Sequence, residues 1–183
     1  MDMANETLAA KLGTTAHLSP LLRKAARFGL DASGLEMLAI QRGCDYYHDG
    51  GPIPRVSLSE KDLSNEELAI ALLNPSLRYH PQTLRLGAAM LGTEGNDPVE
   101  IARVAKLERA ERVVRYVAAA GLKYEHDNPF WARLLKLLPL SDPPDPSVVP
   151  HPTRFIAMTG IARRGLETVT QWIRPNSALA RNG

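Results

Sequence analysis

Apolar residues recur along this chain in steps of three and four. Ala110, Val113, Val114 and Val117 stand at i, i+3, i+4 and i+7, and Trp131, Leu134, Leu135 and Leu138 repeat the interval. This spacing gathers side chains onto one face of an α-helix. Ile101, Val104 and Ala105 extend the first stripe backwards, so residues 98–120 read as one long helix or as two joined near Glu108–Ala110.

The polar residues between the stripes read as helix punctuation. Asp97-Pro98-Val99-Glu100 offers a capping carboxylate, a proline at the first helical position and a glutamate placed to reach back to the cap amide. Asn128-Pro129 repeats the first two features, and Ser64-Asn65-Glu66-Glu67 is a capping box. Ser19-Pro20, His80-Pro81 and His151-Pro152 put proline where its missing N–H does no harm. Gly29, Gly43, Gly92 and Gly121 are placed to end helices in the left-handed conformation. Gly92 with Asp97-Pro98, then Gly121 with Asn128-Pro129, form a weak internal echo that reuse of one cap chemistry accounts for.

These signals predict helices near 4–12, 20–28, 32–42, 65–74, 81–91, 98–120, 129–138 and 153–173. The nearest approach to a strand is Val56-Ser57-Leu58, in a long loop broken by Gly50-Gly51-Pro52-Ile53-Pro54. The predicted fold class is all-α, a compact multi-helix bundle of about seven helices over residues 1–138. A proline-rich linker follows over 139–152 with six of the fourteen prolines, then an amphipathic helix over 153–174 and a flexible tail over 175–183.

Composition narrows the class further. A chain of 183 residues with 44% hydrophobic and 23% charged residues suits one globular core. The net charge of +2 does not mark a nucleic-acid binder by its size, but it is unevenly spread: residues 151–183 carry five arginines against one glutamate. A single cysteine, Cys44, can build neither a disulfide nor a Cys-x-x-Cys pair, which points to a reducing compartment. Asp2 and Glu6 stand where a secretory leader would carry basic residues, and no run reaches the length of a transmembrane segment. The expectation is a cytoplasmic protein.

Three constellations offer chemistry. The C-terminal stripe of Phe155, Met158, Ala162, Leu166, Val169 and Ile173 predicts one helical face that packs on the chain's own core or a second copy, or meets another protein, with Arg154, Arg163, Arg164 and Trp172 as candidate partner contacts. Ser64 to Leu73 followed by His80 to Leu91 resembles a helix-turn-helix DNA-binding pair, which implies that Gln82, Thr83 and Arg85 face base edges. The connection over 74–80 is longer than the usual turn, and the second helix is largely apolar.

The third constellation is His48-Asp49 with His17 upstream. It resembles the metal-dependent phosphohydrolases named for their His…His-Asp…Asp ligands, over residues 17–51. The resemblance implies a divalent metal held by His17, His48, Asp49 and either Asp97 or Asp127, activating water against a phosphoester. The lysine typical of that motif is absent, and His48 and Asp49 also suit a turn ahead of two glycines and a proline. No GxGxxG or GxxxxGK loop and no Ser-His-Asp setting occurs, so no cofactor is predicted. The leading functional expectation is non-catalytic binding of another macromolecule through residues 153–173, with DNA regulation and phosphoester hydrolysis as alternatives.

Overall fold

The computed structural model describes residues 19–45, 48, 50–52, 55–77, 80–152, 161–164, 167–170 and 172–176. Among them seven helices follow one another: α1 (Pro20–Arg27), α2 (Ala32–Gln41), α3 (Asn65–Leu72), α4 (Pro81–Leu91), α5 (Pro98–Leu107), α6 (Glu111–Tyr124) and α7 (Pro129–Leu137). The body is all-α. The helix expected over 4–12 lies outside the described residues, and the span 98–120 resolves into two helices. Their junction carries Arg109 at φ 55, a left-handed residue that turns the chain between them.

The caps explain the starts. Ser64 accepts from the Glu67 amide at 3.1 Å while the Glu67 carboxylate accepts from the Ser64 amide at 3.0 Å, a complete capping box. Asp97 accepts from the Val99 amide at 2.9 Å and Asn128 from the Phe130 amide at 3.0 Å. The box expected at Asp97 is incomplete, because Glu100 turns outward to Arg103 and the Asp97 amide donates instead to Glu66 at 3.2 Å.

Helix α3 lies at the centre, with Leu68 to Leu72 fully buried, and α4 packs along it. Gly87 lets them close: a Cβ there would stand 2.8 Å from the Leu73 side chain. Two polar side chains tie the remaining elements to this core. Buried Arg42 donates to the carbonyls of Ser59 and Leu63 and to Asn65, fixing the loop ahead of α3. Buried Glu108, at the end of α5, accepts from the Leu21 amide at 2.9 Å and from Asn74 at 3.1 Å. A carboxylate set against the N-terminus of α1 suits both its free amides and its dipole.

The i,i+4 spacing of Glu108 with Arg112 and of Glu111 with Arg115 would suit ion pairs, but both arginines are used elsewhere. The break at 108–110 sends Glu108 inward, Arg112 donates to the carbonyls of Asp142 and Pro143, and Arg115 donates to those of Leu135 and Leu138 at the end of α7. The proline-rich segment is therefore held against α6 rather than standing free, and Val149 is buried.

The structure corrects the expected C-terminal helix. Ile161–Arg164 (β1) pairs antiparallel with Glu167–Thr170 (β2), Ile161 opposite Thr170 and Arg164 opposite Glu167. Gly165-Leu166 is the Gly-X dipeptide that two-residue hairpin loops favour, and Ile161, Thr168, Val169 and Thr170 are β-branched. Over the described residues the three-and-four spacing gives way to strand pairing. Residues 153–160 of the expected helix lie outside the described residues.

Removing the Glu108 carboxylate strands the buried Leu21 amide and takes one acceptor from Asn74, which keeps its bonds to Ser19 and the Ser76 amide. Glu108→Ala should lower the unfolding free energy by about 2–3 kcal/mol in urea titrations. Arg103→Ala, which opens an exposed ion pair with Glu100, should leave the midpoint where it is.

Candidate functional site

Gly92 and Gly121 are not the left-handed helix ends that their positions suggest. Gly92 caps α4 at φ −84 and Gly121 lies inside α6, whereas Gly29 and Gly43 do take positive φ. What both sites require is the absence of a Cβ. A Cβ on Gly121 would stand 2.4 Å from the Trp131 ring, and one on Gly92 would stand 2.6 Å from Trp172 Nε1. Each copy of the sequence echo thus receives one indole, and the two rings rest on each other with centroids 4.7 Å apart. They are the chain's only tryptophans, both buried, and Phe130 abuts Trp131 edge-on.

Polar contacts fix the pair. Trp172 Nε1 donates to the Ala88 carbonyl at 3.1 Å, and Trp131 Nε1 donates to Glu125 at 2.7 Å. Glu125, just past α6, also accepts from Asn128 at 3.1 Å and takes the Arg174 guanidinium bidentately at 2.5 Å on each arm. Burial of the Glu125 carboxyl works to raise its pKa, but the bonds from Arg174, Trp131 and Asn128 outweigh it, and the group is held below its ordinary value. Farther on, the Asn176 amide donates to the Gly43 carbonyl at 2.9 Å. Trp172 to Asn176 therefore form a strap laid over the ends of α2, α4 and α6.

Beside the strap a cleft of about 640 Å³ opens between the α4–α5 and α6–α7 connections. Thr93, Glu94 and Asn96 line one side, Tyr124, His126 and Phe130 the other, and the Glu125–Arg174 pair lies between. Thr93 and Asn96 spend their donors on the carbonyls that end α4. The two turns of the sequence echo thus frame one cleft.

The residues singled out in the sequence scatter. Trp172 faces the chain's own core rather than a partner. Arg154 lies outside the described residues, and Arg163 and Arg164 stand on β1. Thr83 is buried with its hydroxyl donating to Glu36, which corrects its place among base-facing residues: α4 is a core helix, buried from Leu86 to Leu91. Gln82 and Arg85 are half-buried at its start.

His17 and Asp49 fall outside the described residues. His48 Nε2 contacts the Gly51 carbonyl across its own turn at 2.5 Å. Asp97 caps α5, and exposed Asp127 stands 3.2 Å from His126. Among the described residues, no three His, Cys, Asp or Glu side chains converge as metal ligands would. Cys44 is a core residue whose thiol is pushed up to about 12, first by burial and then by Asp45 beside it. Among the described residues no helix is long and apolar enough to cross a membrane. Comparison with protein-family models, curated proteins and solved structures returned no match.

Sequence reasoning missed Glu125 and the partnership of Arg174 with it. The available signal was that a chain with two tryptophans must place both large rings, and that Gly92 and Gly121 recur before equivalent turns.

Gly121→Ala should cost about 1–3 kcal/mol in thermal or urea unfolding, because a methyl group there must displace a fully buried indole. A second outcome concerns pH. Glu125's folded-state pKa is depressed, so its contribution is complete above its ordinary value of about 4.3 and is lost as pH falls through the lower folded value. Melting temperatures recorded downward through that window should fall further for the unmodified chain than for Glu125→Gln.

Proposed function

We propose that the protein is a non-catalytic, cytoplasmic macromolecular-interaction protein whose helical body presents the basic segment 151–171 to an acidic surface of another protein. One observation carries this reading: the segment is tied down at both ends. It leaves the body where Val149 is buried and Tyr116 reaches the Pro150 carbonyl, and it returns at buried Trp172. Between those anchors its charged residues are Arg154, Arg163, Arg164 and Glu167. Tying both ends reduces the conformational freedom that a bound loop must surrender, so three arginines gain affinity that a free tail would lose. Such a charge excess acts on encounter rate and partner choice more than on raw affinity.

The test replaces Arg154, Arg163 and Arg164 together by glutamate and compares partners captured by proximity labelling in the native cell. The unmodified chain should mark an acidic protein that the triple variant loses, with the melting curve unchanged. Equal labelling by both chains would remove the reading. Binding to duplex DNA with a steep inverse salt dependence would replace it by a nucleic-acid role.

A further inference from the structure

Helix α5 is apolar on two sides. Ile101, Val104 and Ala105 are buried in the core, while Val99 and Leu107 are left 47% and 62% exposed. Steps of three and four from Val99 through Ala102 and Arg103 to Lys106 and Leu107 put these residues on one face of the helix. Along that face runs a groove of about 410 Å³, bordered on the other side by Leu137 of α7. Ala102, small and buried, gives it its depth.

The rim of this groove is basic. The charged side chains of α5 and α7 are Arg103, Lys106, Arg133 and Lys136 against Glu100 alone. Glu100 is committed to Arg103, at 2.5 and 2.8 Å. Lys106, Arg133 and Lys136 are exposed, and among the described residues none of them enters an ion pair. Lys106 lines the groove itself, and Arg133 stands one helical turn before Leu137, on the same side of α7.

We propose that this groove docks an acidic amphipathic helix of another protein, with apolar anchors at i, i+3 or i+4 and i+7 and aspartate or glutamate on its flanks. The apolar lining receives the anchors, and the cations receive the flanks. Charge selects this occupant over the others. A second copy paired about a two-fold axis would set the same cations against one another. Segment 151–171, with three arginines against one glutamate, is repelled by the same rim. Packing on α3 and α7 and the cap from Asp97 hold α5 in place, so docking needs little rearrangement of the body. The groove does not depend on what segment 151–171 binds.

The experiment displays random peptides of about 16 residues on phage and selects them on the full chain, with counter-selection on the full chain carrying Leu107→Ser. The enriched sequences are expected to be net acidic, with apolar residues in steps of three and four. The most enriched peptide, labelled for fluorescence anisotropy, should bind saturably and lose about tenfold or more in affinity with Lys106→Glu and Lys136→Glu together, or with raised salt. Exchanging its acidic residues for lysine should abolish binding to the unmodified chain and restore it on that double variant. Arg154, Arg163 and Arg164 stay in place throughout, so failure here is distinct from failure of the reading of segment 151–171.

No enrichment, or enrichment of basic or uncharged sequences, overturns the proposal, as does binding indifferent to the rim charges. Displacement of the labelled peptide by an equal amount of a synthetic peptide of residues 1–18 would give the groove to the chain's own segment. A dimer dispersed by Leu107→Ser would give it to a second copy. Either result removes the acidic partner. The substituted residues are exposed, so the melting curves should coincide. Should Leu107→Ser shift its curve, the Lys106→Glu, Lys136→Glu chain takes its place in the counter-selection.

Discussion

Two indole rings can lie against a helix end and a helix side only where the backbone carries no Cβ. Gly92 and Gly121 provide those two places, and the contact of Trp131 with Trp172 is what joins the last described residues to the helical body. The other contacts of the strap follow from this one. With the Trp172 ring seated, Arg174 falls opposite Glu125 and the Asn176 amide falls opposite the Gly43 carbonyl. The cleft wall and the return of segment 151–171 to the body both rest on the same seating. Dispersion and burial hold the rings, while the charge-assisted bonds fix direction.

The body that receives the rings is itself tied by a few buried polar groups. Glu108 and Asn74 bind the start of α1 to the α5–α6 junction, and Arg42 binds the loop ahead of α3. Each bonds at least one backbone group as well as another polar side chain, so the cost of burying it is offset locally. Such groups define one arrangement of helices where apolar ridges alone would allow several.

Much of this was legible in the residues. Ser64, Asp97 and Asn128 mark helix starts because a capping side chain is a local bond within three residues, and local bonds leave local patterns. For residues 98–120 the sequence allowed one helix or two joined near Glu108–Ala110, and the structure has two. What stayed hidden is long-range or ambiguous. Glu125 meets Arg174 across 49 residues, and nothing near either one signals the other. Gly92 and Gly121 looked like helix ends because a glycine needed for space and a glycine needed for φ are the same letter. The stripe from Phe155 to Ile173 suited a helix by spacing, yet Ile161–Arg164 and Glu167–Thr170, rich in β-branched residues, pair as strands.

The most direct measurement of the central contact is tryptophan fluorescence with acrylamide quenching of the native chain. With Trp131 and Trp172 as its only tryptophans, both buried, the account predicts blue-shifted emission from a single protected population that becomes accessible only on unfolding. Red-shifted emission from one freely quenched tryptophan in the folded protein would place Trp172 in water and contradict it.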